Sequence, residues 1–194
     1  MTKGRLEAFT DGVIAIIITI MVLEMKAPQG ADLAALESGV QVFLAYVLSY
    51  VNVGIFWSNH HHLLHMAERV NGRVLWANLF LLFWLSLVPF VIRWIDETGI
   101  TPLPAAAYGV VLSMSAVGYD QLQRAIIACN GRGSRLASAI GRDMKGKVSI
   151  VAYLVAIPAA FVSPWIAIVL YVAIALLWLV PDRRIETRSA AEPP

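Results

Sequence analysis

The sequence predicts an all-α, polytopic integral membrane protein of six transmembrane helices, from its composition, its spacing and its charge. Hydrophobic residues fill 59% and charged residues 14% of the 194 positions, whereas soluble domains average about 45–50% and about 25%. Apolar segments recur at residues 6–25, 40–58, 74–94, 105–129, 148–162 and 165–180, near the length a helix needs to cross a hydrocarbon layer. With the N terminus inside, every basic residue except Lys26 and Arg93 falls on that same side, the bias that orients inserted helices. The expected organisation is one domain over residues 1–194 in the plasma (inner) membrane, multi-pass, with both termini cytoplasmic and the lipid bilayer as a partner.

The first segment, RLEAFTDGVIAIIITIMVLEMK from Arg5 to Lys26, organises the rest. Between Asp11 and Glu24 lie only the uncharged residues Gly12 to Leu23, about 18 Å of helix against about 30 Å of hydrocarbon. Asp11 is therefore expected inside the membrane profile. Facing lipid it would cost at least about 2.5 kcal/mol, so it should face other helices or water, and such a group is a functional candidate. A secretory signal is the competing reading, but Asp11 interrupts the apolar run and APQGADLAALESG offers no clear small-residue cleavage site, so retention is expected.

At 100° per residue, Gly12, Ile16, Thr19, Ile20 and Leu23 form one stripe of this helix, apolar with a single hydroxyl. An ordinary packing face would leave Thr19 bonded back to the Ala15 carbonyl, as membrane Ser and Thr commonly are. Arg5 and Asp11 stand about 240° apart and cannot pair with each other. Their partners should come from the end of the second segment, FWSNHHHLLHM, and the start of the third, VLWANLF, where Trp57, His60, His61 and Asn78 offer donors and acceptors.

The same histidines raise a metal reading, because His61 and His65 are four apart and His62 and His65 three apart. A structural site wants four ligands, and Glu68 is the only nearby acid, so no metal is expected. Pro89 and Pro158 fall inside segments, where kinks are expected rather than breaks. Cys129 is the single cysteine, which excludes an internal disulfide framework. The basic loop from Arg132 to Lys147 is accounted for by topology, and no nucleic-acid partner is expected. Ser163 and Pro164 read as a tight hairpin between the last two segments, and Trp94, Trp165 and Trp178 lie near segment ends, as interfacial belts prefer.

RLEAFTDGVIAIIIT resembles the signature that opens bacterial members of the transmembrane protein 175 family, potassium channels with a lysosomal animal relative. The usual form is Arg, three variable residues, then Phe-Ser-Asp; here Thr10 stands in the Ser position, keeping the hydroxyl and adding a methyl. The likeness extends to Trp57, His60 and His61, to Leu75, Trp76 and Asn78, and to the six-span length. It implies a homotetramer whose pore is lined by the first helix of each subunit and passes potassium, with no cofactor and no catalytic residue. It places the narrowest ring at Ile16 and a hydroxyl ring at Thr19, and Ile20 and Leu23 continue the gate along the same stripe. It also assigns Arg5, Phe9, Thr10, Asp11, Trp57, His60 or His61, and Asn78 to a hydrogen-bond network that holds the pore helix.

Such a pore differs from a carbonyl filter, since no TVGYG-like segment is present to replace potassium's hydration shell. An isoleucine ring would gate by dewetting, Thr19 hydroxyls would offer oxygens to the ion, and Glu24 would concentrate cations at the outer mouth. Two other classes compete. A secondary transporter would use Asp11 as an ion or proton site, although no inverted repeat is visible, and a membrane enzyme would have to be built on the histidine cluster.

Overall fold

Caps and prolines punctuate the chain into helices. The computed structural model describes residues 2–27, 30–131, 137 and 143–179, and among them are seven α-helices: α1 Lys3–Leu23, α2 Leu33–His65, α3 Gly72–Leu85, α4 Val88–Thr98, α5 Pro102–Asn130, α6 Met144–Val162 and α7 Pro164–Leu179. Asp32, Asn71 and Asp143 each accept a first-turn backbone N–H, from Ala35, Val74 and Gly146 at 2.9, 3.1 and 3.0 Å, satisfying donors that a helix start leaves orphaned. Prolines open α4, α5 and α7, where a missing N–H costs nothing. Gly99 (φ 73°) and Gly131 (φ 93°) stop α4 and α5 in a backbone conformation that residues with a Cβ resist. Arg132, Arg135, Arg142, Arg183, Arg184, Arg188 and the last position of the 165–180 segment lie outside the described residues.

The expected kink at Pro89 is a division instead. Proline has no N–H and crowds the carbonyl four residues back, so the ladder gives way between α3 and α4: the Leu87 N–H turns to the Trp84 carbonyl at 3.2 Å, and Ser86 Oγ donates to the Phe83 carbonyl at 2.7 Å. Ser86 and Leu87 keep near-helical dihedrals, so the direction of the chain is preserved. At Pro158 α6 runs on unbroken, and the hairpin at Ser163–Pro164 forms as expected.

Among the described residues, four stretches are long and apolar enough to cross a membrane: Lys3–Leu23, Gly39–His65, Gly72–Thr98 and Met144–Val162. That is fewer than the six expected from the sequence. Helix α5 has the length, but Pro104, Tyr108, Ser113 and Ser115 dilute its apolar run, and α7 is apolar but has only 16 residues, about 24 Å.

Helix α1 packs on α2, α3 and α4, while α3, α5, α6 and α7 pack in succession. Gly118 is what lets α3 meet α5 so closely, because a Cβ there would come within 3.0 Å of the Leu81 Cα. At the far end of α5 the Tyr171 hydroxyl occupies the space a Cβ on Gly109 would take, and donates to the Ala105 carbonyl at 3.0 Å.

Candidate functional site

Helix α1 has two unlike faces. Leu6, Thr10, Ile14, Ile17 and Met21, three or four apart, are buried against its neighbours. Gly12, Ile16, Thr19, Ile20 and Leu23 are exposed, Ile16 at 59% and Leu23 at 75%, against 3% for Ile17. The stripe read from spacing is thus the face this subunit leaves open. On it Thr19 Oγ1 donates to the Ala15 carbonyl at 2.9 Å, which uses the proton and leaves the oxygen lone pairs to accept or to coordinate.

Behind the open face a buried polar chain crosses three helices. Asn78 Nδ2 on α3 donates to Thr10 Oγ1 at 2.9 Å, and its Oδ1 lies 2.8 Å from His60 Nε2 on α2, with all three residues buried. Since the amide nitrogen is spent on Thr10, the amide oxygen faces the ring, and His60 Nε2 carries the proton and donates. One residue on, Trp57 Nε1 donates to Asp11 Oδ1 at 2.9 Å. Consecutive α1 residues are therefore tied to two neighbours, a pair of bonds that fixes rotation of the helix about its axis.

Of the two histidines left open by the sequence, the buried one in this chain is His60. His61 is exposed and lies stacked between Trp57 and His65, with ring centroids 6.1 and 6.2 Å away. Arg5 and Phe9 sit on the exposed side of α1, and Arg5 has no hydrogen bond or ion pair among the described residues. No group of three or more potential metal ligands occurs among the described residues. Glu24, expected to concentrate cations at the outer mouth, lies 3.5 Å from the Arg93 guanidinium, which also bonds Glu97 at 3.1 Å; Lys26 pairs with Asp96 at 3.5 Å. Thus the two basic residues that the charge pattern leaves on the far side both pair with acids there.

Two positioning contacts escape sequence reasoning. Lys3 Nζ donates to the His65 carbonyl at 3.1 Å, pinning the start of α1 to the end of α2. Asn130 Oδ1 accepts from the Glu68 and Arg69 N–H groups at 3.0 and 2.9 Å, while its Nδ2 donates to the Arg69 and Ile126 carbonyls at 3.0 and 2.9 Å. This clamps the loop between α2 and α3, and so the two helices that carry His60 and Asn78. An Asn-Gly pair signals a helix stop, but partners some sixty positions away leave no local trace.

A helical membrane protein built on a first helix with one open apolar face and one polar anchor is the class these features define. Residues 5–89, which hold every residue of the anchor and of the open stripe, match the family model described as endosomal/lysosomal potassium channel TMEM175. The chain is 52% identical, over 96% of its length and 97% of the relative's, to a potassium channel of Chryseobacterium sp. (strain P1-3). It is 28% identical to a potassium channel of Streptomyces collinus, over 98% of each chain. It superposes with a TM-score of 0.74 and 25% identity on the crystal structure of a lysosomal potassium-selective channel TMEM175 homolog from Chamaesiphon minutus, covering 92% of this chain and 96% of that one. The chain belongs to the TMEM175 family.

Proposed function

We propose that the chain is the subunit of a homotetrameric, potassium-selective or potassium-preferring cation channel in the plasma (inner) membrane. Each subunit is a single domain that crosses six times, with α3 and α4 forming one crossing and both termini cytoplasmic; a short α7 is accommodated by local thinning of the bilayer. The pore is lined by α1, with Ile16, Ile20 and Leu23 as its hydrophobic constriction and Thr19 as its hydroxyl ring. The observation that carries this reading is the open stripe of α1. An apolar face alone suits lipid, but this one adjoins exposed Asp11, and a carboxylate turned to hydrocarbon costs at least about 2.5 kcal/mol. Facing a shared axis, the same stripe meets water and its symmetry mates.

In that arrangement Ile16 residues meeting at the axis exclude water from a short length of pore, and a hydrated ion passes when the ring widens. The Thr19 oxygens, their protons turned away to Ala15, then accept part of the cation's coordination. The polar anchor sets which residues face the axis, since a slip of one position would turn the helix by 100° and bring Ile17 to the front.

The test is planar-bilayer current and reversal potential in mixed potassium and sodium. Ile16→Asn should raise basal current and reduce discrimination, by holding water at the constriction and lowering the dewetting barrier. Ile17→Asn should instead reduce the amount of folded protein, because it places an amide in the buried face, without opening the pore. Thr19→Val should stay closed to leak and lose potassium preference. If Ile17→Asn opens the pore while Ile16→Asn is silent, the lining face is wrong. A coupled carrier cycle in place of passive flux would favour the transporter reading of Asp11.

A further inference from the structure

Asn78 points from α3 towards α1 and α2. Two residues to either side, about 200° round the helix, Trp76 and Phe80 must lie on the opposite face. There they line an open groove between α3 and α5, together with Arg73, Ala77 and Gln121. Trp76 is 75% exposed, and the apolar strip continues along α3 through exposed Leu79 and Phe83.

An apolar strip on a membrane helix by itself marks only contact with hydrocarbon. What distinguishes this one is the polar cluster at its end. Arg73 is exposed and, among the described residues, has neither a hydrogen bond nor an ion pair. Arg124 on α5, by contrast, is held by Asp120 at 2.9 Å. Arg73 stands in the first turn of α3, at the end of the helix that joins the basic loops, hence at headgroup depth in the topology proposed above. Beside it are the amide of Gln121 and the indole of Trp76. A guanidinium presents a planar fork of donors that fits two phosphate oxygens, and an indole at the interface offers an N–H outward and an apolar body inward. A free phosphate would gain nothing from the aromatic wall that continues from the charge.

We propose that this groove binds an anionic glycerophospholipid of the cytoplasmic leaflet, with its phosphodiester on Arg73 and Gln121 and an acyl chain along Trp76 and Phe80. The site lies on the opposite face of α3 from the anchor of the pore helix, and its occupancy is read without any ion flux, so its failure and that of the channel reading are distinguishable.

Native mass spectrometry of the full-length protein, titrated with phosphatidylglycerol, phosphatidylcholine or inorganic phosphate, tests it. Wild type should retain one phosphatidylglycerol per chain in preference to phosphatidylcholine, and inorganic phosphate should not displace it. Arg73→Gln should lower phosphatidylglycerol retention about fivefold with phosphatidylcholine unchanged. Arg73→Lys, which keeps the charge and loses the fork, should fall between the two, and Trp76→Ala should weaken both lipids. Equal retention of the two lipids by wild type, undiminished phosphatidylglycerol in Arg73→Gln, or displacement by inorganic phosphate overturns the proposal. So does loss of the assembled mass in Trp76→Ala with lipid per chain unchanged, which would make the groove a contact between copies of the chain.

Discussion

Asn78 serves two clients with one amide, donating to Thr10 and accepting from His60. Truncating it to Asn78→Ala strands a buried hydroxyl and a buried ring nitrogen, each worth about 1–3 kcal/mol of desolvation. The thermal midpoint of the purified protein should therefore fall by several degrees; an unchanged midpoint would mean that water or another group replaces the amide. Asp11 differs, being exposed in the subunit while its Oδ1 accepts from Trp57. Asp11→Asn keeps an acceptor and should still assemble, whereas Asp11→Ala removes it and should reduce assembled protein or abolish current, both readable by size-exclusion chromatography and bilayer recording. An alanine variant that assembles and conducts like the parent removes the anchoring role.

At the scale of elements, the two faces of α1 are decided by what lies behind them rather than by hydrophobicity, since isoleucines occupy both. The division of the third predicted span into α3 and α4 sets Ser86 and Pro89 beside Ile16, Ile17 and Ile20 in a groove against α1. The other close helix contact rests on Gly118. Adding one methyl there meets the Leu81 backbone, which cannot rotate away as a side chain would, and overpacking of this kind costs about 1–3 kcal/mol. Gly118→Ala should accordingly lower the thermal midpoint, while Gly72→Ala, with nothing within 4 Å of the added atom, should lower it far less. A midpoint as high in Gly118→Ala as in Gly72→Ala would remove the role of the contact, because helix propensity and unfolded-chain entropy favour alanine at both positions.

For the whole molecule, the open face of α1 and the exposed Asp11 call for a partner that the single chain does not supply. Light scattering of the detergent-solubilised protein, corrected for detergent, should give four times the 21.2 kDa chain mass. A monomeric mass under conditions that retain conduction would rule out a shared pore. The ion pairs of Glu24 and Lys26 with Arg93 and Asp96 join the end of α1 to α4 on the side opposite the basic loops. Their basic partners Lys26 and Arg93 are 63% and 58% exposed, so salt screens these pairs and they hold little stability. Their consequence is electrostatic, since a Glu24 carboxylate paired with a guanidinium attracts cations less than a free one.

The sequence by itself determined the membrane class, the approximate extents of most helices and which α1 residues share one stripe, though not that this stripe is the open one. Those follow from local hydropathy, caps, prolines and the 100° step between residues, all visible over a few turns of chain. It also narrowed the anchor to Trp57, Asn78 and a pair of adjacent histidines. Only the tertiary structure decided that His60 turns inward and His61 outward in this chain, that Arg5 makes no hydrogen bond among the described residues, that Arg93 pairs with Glu24, and that Asn130 clamps the α2–α3 loop. Each depends on which of several polar groups comes within 3.5 Å of another across tens of residues. Composition and periodicity carry no record of that distance, which is set by how helices of fixed shape pack.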